Sequence, residues 1–289
     1  MVNTVDPARA RHERLERWRG HPWLLAGAVV ASVATVLLGG LAGLGFGGLL
    51  EQFRTMAVDS VFDDRGDGEP PYIVAGGTFG VFGCILAATL AGAAVRRYQG
   101  RSSGPAFPAV LALAGSTVGT GVSARDWLPP LAVGTAVDPV FHHDEPWGFW
   151  AWTFYYADWW GPALLLGLTL LAVAYAVAAT RRNAELARTL ERLLTQGYRV
   201  PADVVDVKLH LGGDESGTRV VASTVTVTYP DAAGVRRWAT RRSRETKLTI
   251  GPGGAEVLFD PARPAEEKSV FVALRRHPVR ADWLPAGRD

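Results

Sequence analysis

The sequence predicts a membrane α-helical region of four transmembrane helices followed by a small all-β cytosolic domain, an antiparallel barrel or sandwich. Three observations carry this. Four apolar stretches before residue 180 are long enough to cross a bilayer, the charges flanking them alternate, and after residue 197 the apolar period drops to two. Thr180-Arg181-Arg182 is a basic stop at the junction of the two halves. Mean hydropathy is only slightly positive because an apolar half and a charged half cancel. A net charge of +2 is too weak to point to nucleic acid, so the sign pattern along the chain is the better guide. The single cysteine, Cys84, excludes an intramolecular disulfide.

Residues 1–22 form a basic N-terminal tail with Arg9, Arg11, Arg14, Arg17 and Arg19. The apolar run behind it, Trp23 to Leu50, is about twice as long as a signal-peptide core of roughly 7–15 residues, and no small-residue cleavage site ends it. It reads as a retained helix. Residues 23–180 hold the spans, at about 23–50, 72–95, 106–124 and 159–179. A bilayer core needs about 20 apolar residues, and the first, second and fourth spans supply them without a charge. The third is weaker, diluted by Ser116, Thr117, Thr120 and Ser123. Flanking charge supports its crossing. Arginines number five before span one, two between spans one and two, three between two and three, one between three and four, and four soon after span four. The poor flanks are also acidic. This alternation fits the positive-inside rule with both termini cytoplasmic, and hence a multi-pass plasma-membrane protein.

Gly27, Ala31, Thr35, Gly39, Gly43 and Gly47 recur every four residues in the first span, as do Gly76, Gly80, Cys84, Ala88 and Gly92 in the second. A spacing of four keeps such residues on one helix face, where small side chains let backbones approach closely in lipid. Packing of helices one and two against each other is the expected use of Gly39, Gly43, Gly47, Gly76, Gly80 and Gly92. A homo-oligomer interface is the sharper reading, and a glycine-lined pore the remainder. Cys84 belongs to this stripe as a small packing residue. No Asp, Glu, Lys, Arg or His falls in the central part of a span, which lowers the reading as a proton- or ion-coupled transporter.

The segment between spans three and four, Arg125–Asp158, is crowded with Trp127, Trp147, Phe149, Trp150, Trp152, Phe154, Tyr155 and Tyr156, with Trp159 and Trp160 following. An interfacial aromatic belt is the ordinary reading, and an extracytoplasmic ligand site the sharper one. Pro129-Pro130 and Pro146 argue against a regular element through its middle. His142, His143, Asp144 and Glu145 are the one cluster with metal-ligand chemistry, and a weak one. Adjacent residues rarely converge on one ion, and zinc sites use wider spacings. A solvated loop is expected there, with no metal or cofactor.

Residues 181–197 continue as a helical stalk. Leu186, Leu190, Leu193 and Leu194 make its stripe, and Gly197 is a natural stop. The β-domain, residues 198–274, then alternates. Val205, Val207, Leu209 and Leu211 form one strand face, and Val221, Ser223, Val225, Val227 and Tyr229 another. Further strands are expected at about 235–240, 255–259 and 269–274, before a C-terminal tail of 275–289. Arg236, Arg237, Arg241, Arg242 and Arg244 cluster beside Trp238. The ordinary reading is a solvated hairpin. Contact with anionic lipid headgroups is the second, and nucleic acid a distant third, lacking any motif.

The run Pro201-Ala202-Asp203-Val204-Val205, the strand ending Val227-Thr228-Tyr229, the turn Asp231–Gly234 and the stretch Val257-Leu258-Phe259-Asp260-Pro261-Ala262-Arg263-Pro264 resemble the bacterial domain-of-unknown-function family 3592 over roughly residues 198–273. That family pairs membrane helices with a small β-domain. Its late signature, an aromatic residue before Asp-Pro with a second proline three residues on, is met by Phe259, Asp260, Pro261 and Pro264. The resemblance implies an architecture and no reaction. Physically, Asp260-Pro261 reads as a strand-ending turn. No catalytic signature appears. The expectation is therefore a non-enzymatic multi-pass protein whose β-domain is a binding or regulatory module for anionic lipid or a cytosolic protein. A small channel or transporter component is the alternative, and an enzyme centred on the histidines a third.

Overall fold

A computed structural model describes residues 17–59, 76–99, 107–214, 217–243, 251–264, 266, 269–274 and 278–285. The chain divides into two compact units, Met1–Ala179 and Thr180–Asp289.

The first unit is helical. Its leading helix, α1 (Pro22–Val58), opens with extended His21 and Pro22 in the first turn, where a missing N–H costs nothing. At 37 residues it spans about 55 Å, well beyond a bilayer core of ~30 Å. It therefore continues two turns past the charge-free run that ends at Leu50. A π-helical turn, Gly76–Gly80, leads into α2 (Val81–Gln99), and α3 (Phe107–Ser123) follows. Past the short α4 (Phe149–Tyr155), the long α5 (Ala157–Gln196) carries the last apolar run. Among the described residues four helical stretches are thus long and apolar enough to cross a membrane.

Helix α1 is the hub of this unit, and it uses two faces. Gly39, Gly43 and Gly47 lie against α3, where a Cβ on Gly43 would clash with the Ser116 backbone and one on Gly47 with the Ser123 side chain. Gly76 and Gly80 lie against another face of α1, at Leu41, Ala42 and Gly45. So the stripe expected to join helices one and two is divided, and its 39/43/47 part faces helix three. Gly92 has only Pro108 Cγ nearby, at 3.8 Å, and Gly27 has nothing within 4 Å.

Close approach bares the α1 carbonyls, and two of the hydroxyls that diluted the third span bond to them. Ser116 Oγ donates to Gly39 O at 3.1 Å and Thr120 Oγ1 to Gly43 O at 3.0 Å. Thr117 and Thr169 join α3 to α5 through their hydroxyls, 3.0 Å apart. From α2, Cys84 Sγ donates to Thr35 O at 3.6 Å.

The second unit is a single curled antiparallel sheet, a half-barrel. Its strands are β3 (Tyr198–Asp214), β4 (Gly217–Pro230), β5 (Arg236–Ser243), β6 (Gly251–Phe259), β7 (Val270–Ala273) and β8 (Leu284–Pro285), ordered β5-β4-β3-β6-β7-β8. Two two-residue strands in the first unit, β1 (Thr135–Ala136) and β2 (Glu145–Pro146), form a separate ladder. Among the described residues the larger sheet does not close into a barrel.

One core fills the curl with Val200, Ala202, Val204, Val225, Val227, Tyr229, Val257, Phe259, Val270 and Val272. On the opposite face of β6 and β7, Leu258, Phe271 and Ala273 pack with Trp283 and with Leu186, Leu190 and Leu193 of α5. The leucine stripe thus has its partner, and β7 is buried on both faces.

Strand β3 departs from simple alternation. A register irregularity between Val204 and Asp206 leaves Val205 exposed, while Val200, Ala202 and Val204 face the core and Val207 packs against it. A bulge inserts one residue and reverses which parity points inward, so Val205 and Val207 do not share the face that strict alternation gives them.

Candidate functional site

The 125–156 segment is built onto the end of α1. Glu51 and Arg54 sit three residues apart and so share one side of the helix. Glu51 Oε1 accepts from Leu128 N at 3.2 Å, and Arg54 Nη1 donates to Leu128 O at 2.7 Å. Together they hold both backbone polar atoms of Leu128. One turn on, Asp59 Oδ1 accepts from Leu131 N at 3.3 Å, and Trp147 Nε1 donates to Val58 O at 2.7 Å. These bonds give an otherwise irregular stretch a fixed path.

Arg54 is 7% exposed and lies 5.9 Å from the ring centres of both Trp127 and Tyr155. Cation–π contact of this kind, away from water, is worth about 2 kcal/mol and offsets part of the desolvation of the guanidinium. Its Nε is buried, with no hydrogen-bond partner among the described residues. Counting loop charges conceals this residue. The available signal was a Glu-x-x-Arg pair directly after a charge-free apolar run.

The aromatic residues divide into two groups. Trp147 is buried with Val58 and Ala151, and its ring stands 5.1 Å from Trp152 and 5.2 Å from Tyr155. Phe149, Trp150 and Trp159 point outward and are largely exposed. The inward group holds the segment on α1, and the outward group has the exposure of a belt.

The histidine cluster occupies a turn. Asp138 Oδ1 accepts from Val140 N and Phe141 N, each at 3.0 Å, and Asp144 Oδ1 accepts from Asp138 N at 3.0 Å. The Phe141 and Val140 amides hold the Asp138 carboxyl below the usual carboxylate range. His142 takes a left-handed backbone conformation, φ 54°, at the end of this turn. Among the described residues no three His, Cys, Asp or Glu side chains come together as a metal site.

In the β-unit the arginine cluster separates along the pleat of β5. Arg237 turns inward to Asp231 Oδ2 at 2.7 Å, and Arg241 donates to Val272 O and to Asp282 O, the latter at 3.1 Å. Arg236 and Arg242 face outward with Trp238. Arg236 Nε also donates to Thr228 Oγ1 at 3.1 Å. Arg244 lies outside the described residues.

Asp231 organises the β4–β5 turn. Its Oδ1 accepts from Ala233 N and Val235 N, both at 2.9 Å. The Arg237 hydrogen bond, with these amides, holds its carboxyl below the ordinary range, while burial raises the neighbouring Tyr229 hydroxyl. Phe259 is fully buried, 5.4 Å from the Tyr229 ring and 5.8 Å from Tyr198. Asp260 then makes the turn, its Oδ1 accepting from Ala262 N at 3.0 Å and its carbonyl from Arg263 N at 3.0 Å. Aromatic and Asp-Pro therefore serve core and turn in succession.

No family model matches the chain, and no curated protein or solved structure matches it.

Proposed function

We propose that this chain is a non-enzymatic, multi-pass plasma-membrane protein whose four helices anchor a cytosolic β-domain that acts as a binding or regulatory module. The observation that carries this reading is the second hydrophobic core. Leu186, Leu190 and Leu193 belong to α5, the helix that carries the last apolar run, and they pack under Leu258, Phe271 and Trp283. A helix that is part of the domain's own core ties whatever the domain binds to the bilayer. Alternating loop charge supports the cytosolic placement, with the aromatic segment outside. The resemblance over residues 198–273 agrees with an anchored β-domain and adds no chemistry.

The test is cross-linking in intact membranes, followed by purification of the full chain. A stoichiometric cytosolic protein or a selected anionic lipid that stays with the full chain, and is lost when residues 198–289 are removed, is the expected result. Retention of the same partner by the truncated chain would overturn the module reading.

A further inference from the structure

We propose that the outward face of β5 docks on the anionic surface of the chain's own bilayer. This rests on the cytosolic reading of the β-domain. Along β5 the residues Arg236, Trp238, Thr240 and Arg242 alternate to one side, over about 20 Å of strand. Trp238 is 63% exposed, a large cost for an indole facing water, and it lies between two outward arginines. β5 is the last strand in the sheet order, so among the described residues no further strand pairs with its outer edge, and Arg236, Trp238 and Arg242 are all exposed on its outward face.

The neighbouring strand leaves the positive charge in place. Pro230, Thr228, Thr226 and Thr224 of β4 stand opposite Arg236, Trp238, Thr240 and Arg242. Behind Thr224, on β3, comes Lys208, in line with Arg242. The acids nearby are mostly engaged elsewhere. Asp231 holds Arg237 and the turn amides, and Asp203 accepts from Gly253 N at 2.8 Å. Among the described residues of β3, β4 and β5, Asp206, paired with Thr226 two strands from the β5 edge, is the remaining opposing charge.

An indole flanked by guanidinium groups matches the membrane interface. The ring favours the headgroup level, and the cations favour phosphate. The bilayer is also the partner this domain meets at the highest local concentration, since the compact unit that contains it begins at Thr180, directly after an apolar run. Such docking weakens as salt screens the headgroups.

The experiment uses the full chain with Cys84→Ala and a nitroxide on Thr240→Cys. It is reconstituted in phosphatidylcholine vesicles with or without phosphatidylglycerol. The label is expected to lose access to a water-soluble nickel relaxant only in the anionic vesicles, and to regain it at high salt. Arg236→Gln and Arg242→Gln are each expected to reduce the docked-to-free ratio about fivefold. Equal access in both vesicles, with the β-domain still protease-resistant, would overturn the proposal and leave the module reading standing. Protection supplied by a soluble protein in place of anionic lipid would also overturn it. A tail shown to lie outside the cell would sink the cytosolic reading itself, a separate failure.

Discussion

The helical unit and the β-unit are held together by different means, and the contrast follows from their solvents. Between α1 and α3 the contact is glycine against backbone, with Ser116 and Thr120 bonding to the carbonyls of Gly39 and Gly43. In the half-barrel the contact is Val, Phe and Tyr side chains in two cores, one inside the curl and one against α5. Lipid is as apolar as leucine, so apolar burial does not drive helices together there, and close packing with interhelical hydrogen bonds does. In water apolar burial is the main driving force, and large side chains supply it. The fourth membrane helix shows the consequence. Only 6% of its apolar window is buried, against 17–28% for the other three.

Phe259→Ala should give the largest effect, removing a fully buried ring for about 3–5 kcal/mol of β-unit stability. Chemical unfolding of the full chain, followed separately in each unit, should show the β-unit transition move and the helical one stay. Coincident shifts would mean that the units do not stabilise themselves independently.

Gly43→Leu comes next. Its side chain would have to displace Ser116 backbone, at about 1–3 kcal/mol or more, with Gly27→Leu as a silent control because that position is open. Thermal stability in detergent is the readout, and equal values for the two variants would mean that close backbone approach does not hold α1 on α3. Thr120→Val should cost less, about 0.6 kcal/mol and at most ~1.7, as a single interhelical hydroxyl bond does in a membrane.

The smallest effect is at Asp231. Its folded carboxyl is held below the ordinary value, so the stability it contributes is complete above the unfolded pKa of about 3.9 and is lost as pH falls through the lower folded one. Asp231→Asn should flatten the acid limb of β-unit stability while leaving the helical unit's pH profile unchanged.

Much of the fold was legible because length and period are robust signals. Apolar runs longer than twenty residues announce helices in lipid, and the leucine stripe after residue 180 announced a helix with a face to bury. What escaped depends on tertiary partners. Hydroxyls in the third span look like dilution until Gly39 and Gly43 bring bare carbonyls beside them. Val205 looks like a core residue until a bulge reverses its face. Of five clustered arginines, sequence offers no way to tell that Arg237 and Arg241 turn inward, because Asp231 and the Val272 carbonyl reach them only through the fold. Arg54 was hidden for the same reason, since Leu128, Trp127 and Tyr155 are more than seventy residues away.

On the proposed reading, one chain places a lipid-packed unit in the membrane and a water-packed unit in the cytosol. Paired fusions at Asp289 test this most directly, one with a reporter active only in the cytosol and one with a reporter active only outside. A strong signal from the first and none from the second is the expected result. The reverse pattern would contradict the claim.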